Sequence, residues 1–249
     1  MSRHRGSRTS SHEHGDTNVV AETVAAVRTK GVTKDYGDGP VLQPLDLVVA
    51  PGERLALIGH NGSGKTTLLR MITGLLDSTA GSISVFGHAP GTIEARRHVS
   101  YLSDTPVFYD DLSVWEHLEY TARMHGNSDW EQEAADLLGQ LGIYERADDL
   151  PSRFSRGLKQ KAAIAIALIR PFDVLLVDEP FVGLDATGRD ALLRLLDDAA
   201  DRGATLLVAT HEPSFLDRVP RVLALRNGSL MFDGATADES VKAWLHSPT

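Results

Sequence analysis

Nine consecutive residues, Gly59-His60-Asn61-Gly62-Ser63-Gly64-Lys65-Thr66-Thr67, have the types and spacing needed to hold a polyphosphate. They fit the pattern G-x-x-x-x-G-K-[ST]. Glycines let successive backbone N–H groups curl inward around phosphate oxygens, and a helix N-terminus behind them adds its positive dipole end. Lys65 can then reach the β- and γ-phosphates, and the Thr66 hydroxyl can hold Mg²⁺. The implied ligand is a nucleoside triphosphate. A second group of chemistry-bearing residues follows the apolar run 174–177, where the chain reads Asp178-Glu179-Pro180. Neighbouring residues at a strand end point in different directions, so the two carboxylates can divide labour. Asp178 suits the metal, and Glu179 suits the water that attacks the γ-phosphate. A third group is Phe154-Ser155-Arg156-Gly157-Leu158-Lys159-Gln160, where Ser155 stands at the N-cap position of a helical run and makes a second helix N-terminus able to meet an anion. Taken alone, this third group is an ordinary capped helix.

These residues need elements to position them. The apolar run 55–58 before the phosphate loop reads as a buried strand, and residues 68–72 after it read as a helix. Residues 174–177 form a continuous apolar run, expected of a central parallel strand covered on both faces. Residues 205–209 give the next core strand, and 222–225 with 230–232 suggest a hairpin around Asn227-Gly228. Strands are also expected at 24–28, 45–49 and 82–86. Helical periodicity runs through 114–144, through 158–170 as far as Pro171, and through 191–202 as far as Gly203. A helix is further expected after residue 235, with Trp244 packing back. Alternating strands and helices imply an α/β sheet interrupted by a helical insertion near 104–160.

Composition narrows the function classes. The 249 residues carry a formal net charge of −9, the opposite of a nucleic-acid surface, so no nucleic-acid partner is expected. There is no cysteine, which excludes a disulfide framework, a thiolate metal site and a cysteine nucleophile. The longest apolar run, 162–169, falls far short of the roughly 20 residues a membrane helix needs. Residues 1–18 are rich in Ser, Arg, His and Gly and are expected to form a disordered tail.

In their order of phosphate loop, capped helix and Asp-Glu strand, these pieces resemble the nucleotide-binding subunit of ATP-binding cassette (ABC) transporters. The match spans about 24–232. The capped helix is similar to that family's signature motif, usually Leu-Ser-Gly-Gly-Gln. Here Phe154, Arg156 and Leu158 depart from it, while Ser155 and Gly157, which approach the γ-phosphate, are kept. A basic residue before the glycine is similar to exporter-type members. The resemblance implies that Tyr36 stacks on adenine, that Gly183-Leu184-Asp185 is the D-loop at the subunit contact, and that His211 after Thr210 contacts the γ-phosphate. Where the family has a loop Gln touching Mg²⁺ and the membrane partner, this chain has Asp104, a hard oxygen ligand with an added negative charge.

The resemblance implies a P-loop NTPase (RecA-like) α/β core spanning 19–249, with an N-terminal antiparallel β subdomain and an inserted α-helical subdomain at about 104–160. It further implies a Mg²⁺- and ATP-dependent ATPase that forms a homodimer or a heterodimer with a second ATPase subunit. In this family's sandwich, the signature helix of one subunit completes the phosphate site of the other. Such a subunit lies in the cytoplasm against the inner face of the membrane and drives transmembrane permease subunits. The other readings are a soluble relative acting on ribosomes or DNA, a small-molecule kinase, a non-hydrolysing regulatory subunit and an importer. A regulatory subunit is expected to lose Glu179 or His211, and both are present. A kinase has no use for Ser155-Gly157 or His211.

Overall fold

The structure, a computed structural model, describes residues 24–237, so the expected N-terminal tail and the expected helix with Trp244 lie outside the described residues. Strand β1 (Val27–Asp35) lies antiparallel between β2 (Pro40–Val49) and β4 (Ala80–Val85), making a three-stranded sheet. The second sheet has six strands in the order β5 (Val99–Leu102), β6 (Val174–Asp178), β7 (Thr205–Ala209), β3 (Arg54–Ile58), β8 (Arg221–Arg226) and β9 (Ser229–Ala235). Its first five strands are parallel, and only β9 runs antiparallel, at the edge.

The parallel strands are buried on both faces, which is why they read as unbroken apolar runs rather than alternating ones. Leu55 and Leu57 of β3, with Val174 and Leu176 of β6, join the core shared with the antiparallel sheet and helix α1 (Lys65–Thr73). Ala56 and Ile58, with Leu175 and Val177, face the opposite core, built from α5 (Arg156–Leu168) and α6 (Ala186–Asp201).

Between β5 and β6 the chain inserts α3 (Val114–Met124) and α4 (Trp130–Gln140). The expected continuous periodicity over 114–144 is divided here, because Gly126 takes φ +73° after α3 and turns the chain back. A capping box starts α3: Ser113 Oγ accepts from Glu116 N–H, and Glu116 Oε2 accepts from Ser113 N–H. Trp115 and Trp130 pack with ring centroids 5.2 Å apart. Asn127 ties the turn to the end of α5 by donating to Ile169 O at 2.8 Å.

Elsewhere the boundaries moved. β1 extends well past the expected 24–28 because an antiparallel strand with one wet face tolerates Arg, Thr and Lys, with Gly31 (φ +54°) opening a bulge. β2 runs through Pro44, which an edge strand accepts. α6 starts at Ala186 because Asp185 Oδ1 caps it, accepting from Gly188 N–H. The short helices α2 (Ile93–His98) and α7 (Pro213–Leu216) had too few residues to show periodicity.

Trp130 links the inserted helices through its contact with Trp115 and is 4% exposed. Trp130→Ala should lower unfolding free energy by about 3–5 kcal/mol and the Tm by roughly 6–20 °C. A drop below about 3 °C in a calorimetric scan would mean that α4 is held by other contacts.

Candidate active site

Three adjacent strands, β6, β7 and β3, end at the same edge of the sheet, and each hands its C-terminus to one part of the site. β3 leads into the phosphate loop, β6 into Asp178-Glu179 and β7 into Thr210-His211. This edge is where open α/β sheets bind ligands.

The loop's shape depends on glycine where the backbone closes on its neighbours. At Gly59 (φ +151°) an added Cβ would lie 2.3 Å from Leu225 O and 2.6 Å from Ser63 Oγ. Gly64 (φ +104°) sits at the N-cap of α1 without a side-chain cap, which leaves the helix's first N–H groups open to a ligand. The β8–β9 turn braces the loop from below, with Gly228 N–H donating to Ser63 O at 3.1 Å. Asn227 (φ +49°) and Gly228 (φ +77°) supply the left-handed geometry of that turn.

Lys65 is buried and bends back across the loop. Its Nζ donates to Gly59 O at 2.5 Å and lies 3.5 Å from Glu179 Oε1. His211 Nε2 is 3.7 Å from the same oxygen. Lys65, Glu179 and His211 are therefore brought together, with Glu179 in the middle. Glu179 reaches this position through an uncommon backbone conformation, φ +45°, which turns its side chain away from the line of β6. Its N–H still donates to Ala209 O at 2.8 Å, so the strand pairing survives the turn.

Asp178 is fully buried, and neither carboxylate oxygen has a well-formed hydrogen bond. Burial pushes its carboxyl above the ordinary range. The Thr66 hydroxyl, close by but outside good hydrogen-bond geometry, pulls it back, as does Lys65, whereas Asp104 and Glu179 push it further up. A cavity of about 190 Å³ holds these groups, lined by residues 61–67 together with Val41, Asp104, Asp178 and Glu179. Two unbonded carboxylate oxygens beside the Thr66 hydroxyl, with the equally unbonded Ser63 Oγ in the loop, fit a hard divalent cation bound to phosphate.

Asp104 lines this cavity but is partly engaged elsewhere: Oδ1 lies 3.5 Å from an Arg70 guanidinium nitrogen and accepts from Ser103 Oγ at 3.1 Å. Sequence reasoning missed Arg70. The available signal was a lone cation inside the apolar helical run 68–72.

The remaining predicted residues are not gathered into the cavity. Tyr36 is 60% exposed in the β1–β2 turn, with Lys34 Nζ 5.0 Å from its ring centre. His60 turns its Nδ1 to Asn61 O. Ser155 caps α5 by accepting from Leu158 N–H at 3.3 Å, and Ser155 and Arg156 are exposed. Gly157 packs so closely on the turn before α6 that an added Cβ would lie 2.7 Å from Gly183 O. Lys161 Nζ reaches Asp185 Oδ1 at 3.3 Å, and Gln160 donates to Pro180 O at 3.1 Å. Helix α5 and residues 180–185 thus form one packed unit beside the phosphate cavity rather than within it.

Asp178 gives the site a testable electrostatic cost. Because its carboxyl is raised in the folded chain, the unfolded chain gives up this proton first, and stability falls as pH rises from the unfolded value toward the folded one. Asp178→Asn should therefore raise the Tm of the nucleotide-free, metal-free chain by a few degrees at pH 7, on the order of 1 kcal/mol. The gain should shrink as pH falls through about 4, near the ordinary value of about 3.9, and vanish below about pH 3, where the side chain is protonated in both states. An unchanged or lower Tm at pH 7 would show that Asp178 is satisfied without a cation.

The family described as ABC transporter matches residues 42–182. The chain is similar to the SkfA peptide export ATP-binding protein SkfE of Bacillus subtilis (strain 168), 33% identical over 210 residues, 83% of this chain and 88% of that one. It is also similar to the ABC-type transporter ATP-binding protein EcsA of the same strain, 34% identical over 86% of this chain and 89% of that one. The methionine import ATP-binding protein MetN of Chlamydia pneumoniae is 34% identical over 85% of this chain and 66% of that one. Among solved structures, an ATP-binding subunit of an ABC transporter superposes with a TM-score of 0.80 at 31% identity, covering 90% of this chain and 95% of that one. The phosphate loop, the carboxylates at the end of β6 and these likenesses together make the chain an ATP-binding, ATP-hydrolysing member of the ABC transporter family.

Proposed function

We propose that two copies of this chain close head to tail over two ATP molecules and that this closure drives export through separate membrane-spanning subunits. The observation that carries the reading is the arrangement of the signature unit: an exposed, Ser155-capped helix N-terminus locked to the D-loop and excluded from its own phosphate cavity. Such a helix end suits an anion on another molecule. Each chain then supplies half of each of two sites.

Within one site, Lys65 and the open N–H groups at the start of α1 hold the β- and γ-phosphates. Tyr36, exposed at the mouth of the β1–β2 turn, is available to stack on the adenine. Thr66 and Asp178 would hold Mg²⁺, with Asp104 at the rim, and the ion would add positive charge against the phosphate oxygens. Glu179 orients the attacking water and takes its developing proton. His211, 3.7 Å from Glu179, holds that carboxylate and meets the γ-phosphate. Ser155 and Gly157 of the second copy close the far side, with Arg156 adding positive charge there, and Asp185 lies at the contact between copies.

Export is favoured by Arg156 ahead of Gly157 and by the likeness to SkfE, named for peptide export. Import is the competing direction, since MetN is as similar in sequence. No helix among the described residues is long and apolar enough to cross a membrane. In this reading the pathway is supplied by partner subunits, and this chain would sit against them on the inner face of the membrane.

Glu179→Gln keeps the shape and removes the base. It should lower ATP turnover at least about a hundredfold and, in MgATP, collect the protein as a stable dimer by light scattering. Adding Ser155→Arg should return it to monomer. Normal turnover in Glu179→Gln, or a monomer at every MgATP concentration, would contradict the reading.

A further inference from the structure

Arg70 lies outside the phosphate cavity yet bears on it. Residues four apart on a helix share a face, so Arg70 of α1 stands one turn beyond Thr66 on the same side. Its place in the last turn suits the negative end of the helix dipole whichever way the side chain points. The side chain instead crosses to the loop after β5, where a guanidinium nitrogen lies 3.5 Å from Asp104 Oδ1. Ser103 Oγ donates to the same oxygen at 3.1 Å. The Tyr101 hydroxyl is buried close to both Arg70 and Ser103 and lacks a well-formed hydrogen bond.

Charge gives this contact its meaning. Among the described residues, the acids Asp104, Asp178 and Glu179 line the phosphate cavity against one base, Lys65. Lys65 already faces Glu179 at 3.5 Å. Arg70 is held in its charged form above all by the Tyr101 hydroxyl, against the opposing effect of burial, and Asp104 and Asp178 both add to that hold. Arg70 does not line the cavity itself, so it reaches a ligand there through Asp104. Both partners are partly exposed, and an ion pair of that kind contributes little to folding. Its consequence falls instead on what the cavity binds.

We propose that Arg70 is a positioning residue of the phosphate site: it balances the Asp104 carboxylate and holds it toward α1, so that an acid can line the cavity without repelling the triphosphate. The proposal rests on the MgATP reading above and adds a residue that acts through another. Without the guanidinium, Asp104 keeps only the Ser103 hydroxyl, and its full charge faces phosphate oxygens of the same sign.

The test titrates the full-length protein with the fluorescent N-methylanthraniloyl derivative of ATP in excess Mg²⁺. It compares wild type, Arg70→Met, Asp104→Asn and the double variant. Arg70→Met should raise Kd about tenfold in the wild-type background. In the Asp104→Asn background the same substitution should change Kd by less than about twofold. Arg70→Lys, which keeps the charge, should stay within about threefold of wild type. The loss in Arg70→Met should shrink at about 0.5 M salt, where exposed charges are screened, and its Tm should fall by less than about 3 °C. Equal losses in both backgrounds would mean that Arg70 attracts the phosphates directly. A loss that comes with a large drop in Tm and is not repaired by Asp104→Asn would mean that Arg70 serves the fold. Either result, or wild-type affinity in Arg70→Met, overturns the proposal and leaves the MgATP reading standing. A wild-type chain that binds no nucleotide overturns both.

Discussion

The constraint on which the rest of the site depends is negative charge with too little to balance it. At the end of β6, a fully buried Asp178 without a well-formed hydrogen bond stands next to Glu179, with Asp104 across the cavity. One lysine faces them, and Lys65 is already divided between Glu179 and the Gly59 carbonyl. A triphosphate adds several more negative charges in the same few ångströms. Within the cavity the chain itself offers one source of relief, the N-terminus of α1. The proposed reading adds two more, a divalent cation between Thr66 and Asp178 and a second helix N-terminus from outside, and so gives a physical reason for ATP, metal and a partner surface to bind together.

That charge cluster is held in place by backbone geometry more than by side-chain packing. Gly59 has no room for a Cβ against Leu225 O, so the loop cannot relax without moving the β8–β9 hairpin. Glu179 holds φ +45°, a conformation that costs a non-glycine residue about 1–3 kcal/mol. The strain persists because β6 pairs with β7 up to Asp178 and the Glu179 N–H itself donates to Ala209 O. Its effect is to turn the Glu179 carboxylate away from that of Asp178 and toward Lys65 and His211. The close fit of Gly157 on Gly183 does for α5 what Gly59 does for the loop, fixing α5 and the turn before α6 as one body.

Much of this was legible in the sequence, for identifiable reasons. Strands β3, β6 and β7 are buried on both faces and therefore spell themselves as apolar runs, and the phosphate loop is a local pattern whose chemistry is read residue by residue. The family resemblance carried Tyr36, Asp104, Asp185 and His211, which no periodicity would have singled out. What could not be read was non-local. The contact of Arg70 with Asp104 joins α1 to the loop after β5, and the bracing of Ser63 by Gly228 joins residues far apart in the chain. The full lengths of β1 and β2 were hidden because a half-wet antiparallel strand with a bulge and an edge proline looks like turn material.

The central claim is that one chain holds only half of each catalytic site. The most direct measurement is the specific ATPase activity of the purified wild-type chain in saturating MgATP as its concentration is raised through the dimerisation range. The account predicts that specific activity climbs in proportion to concentration at first, by about tenfold per tenfold, and then levels off as the dimer saturates. Specific activity that is already maximal and constant while the protein is monomeric would contradict it.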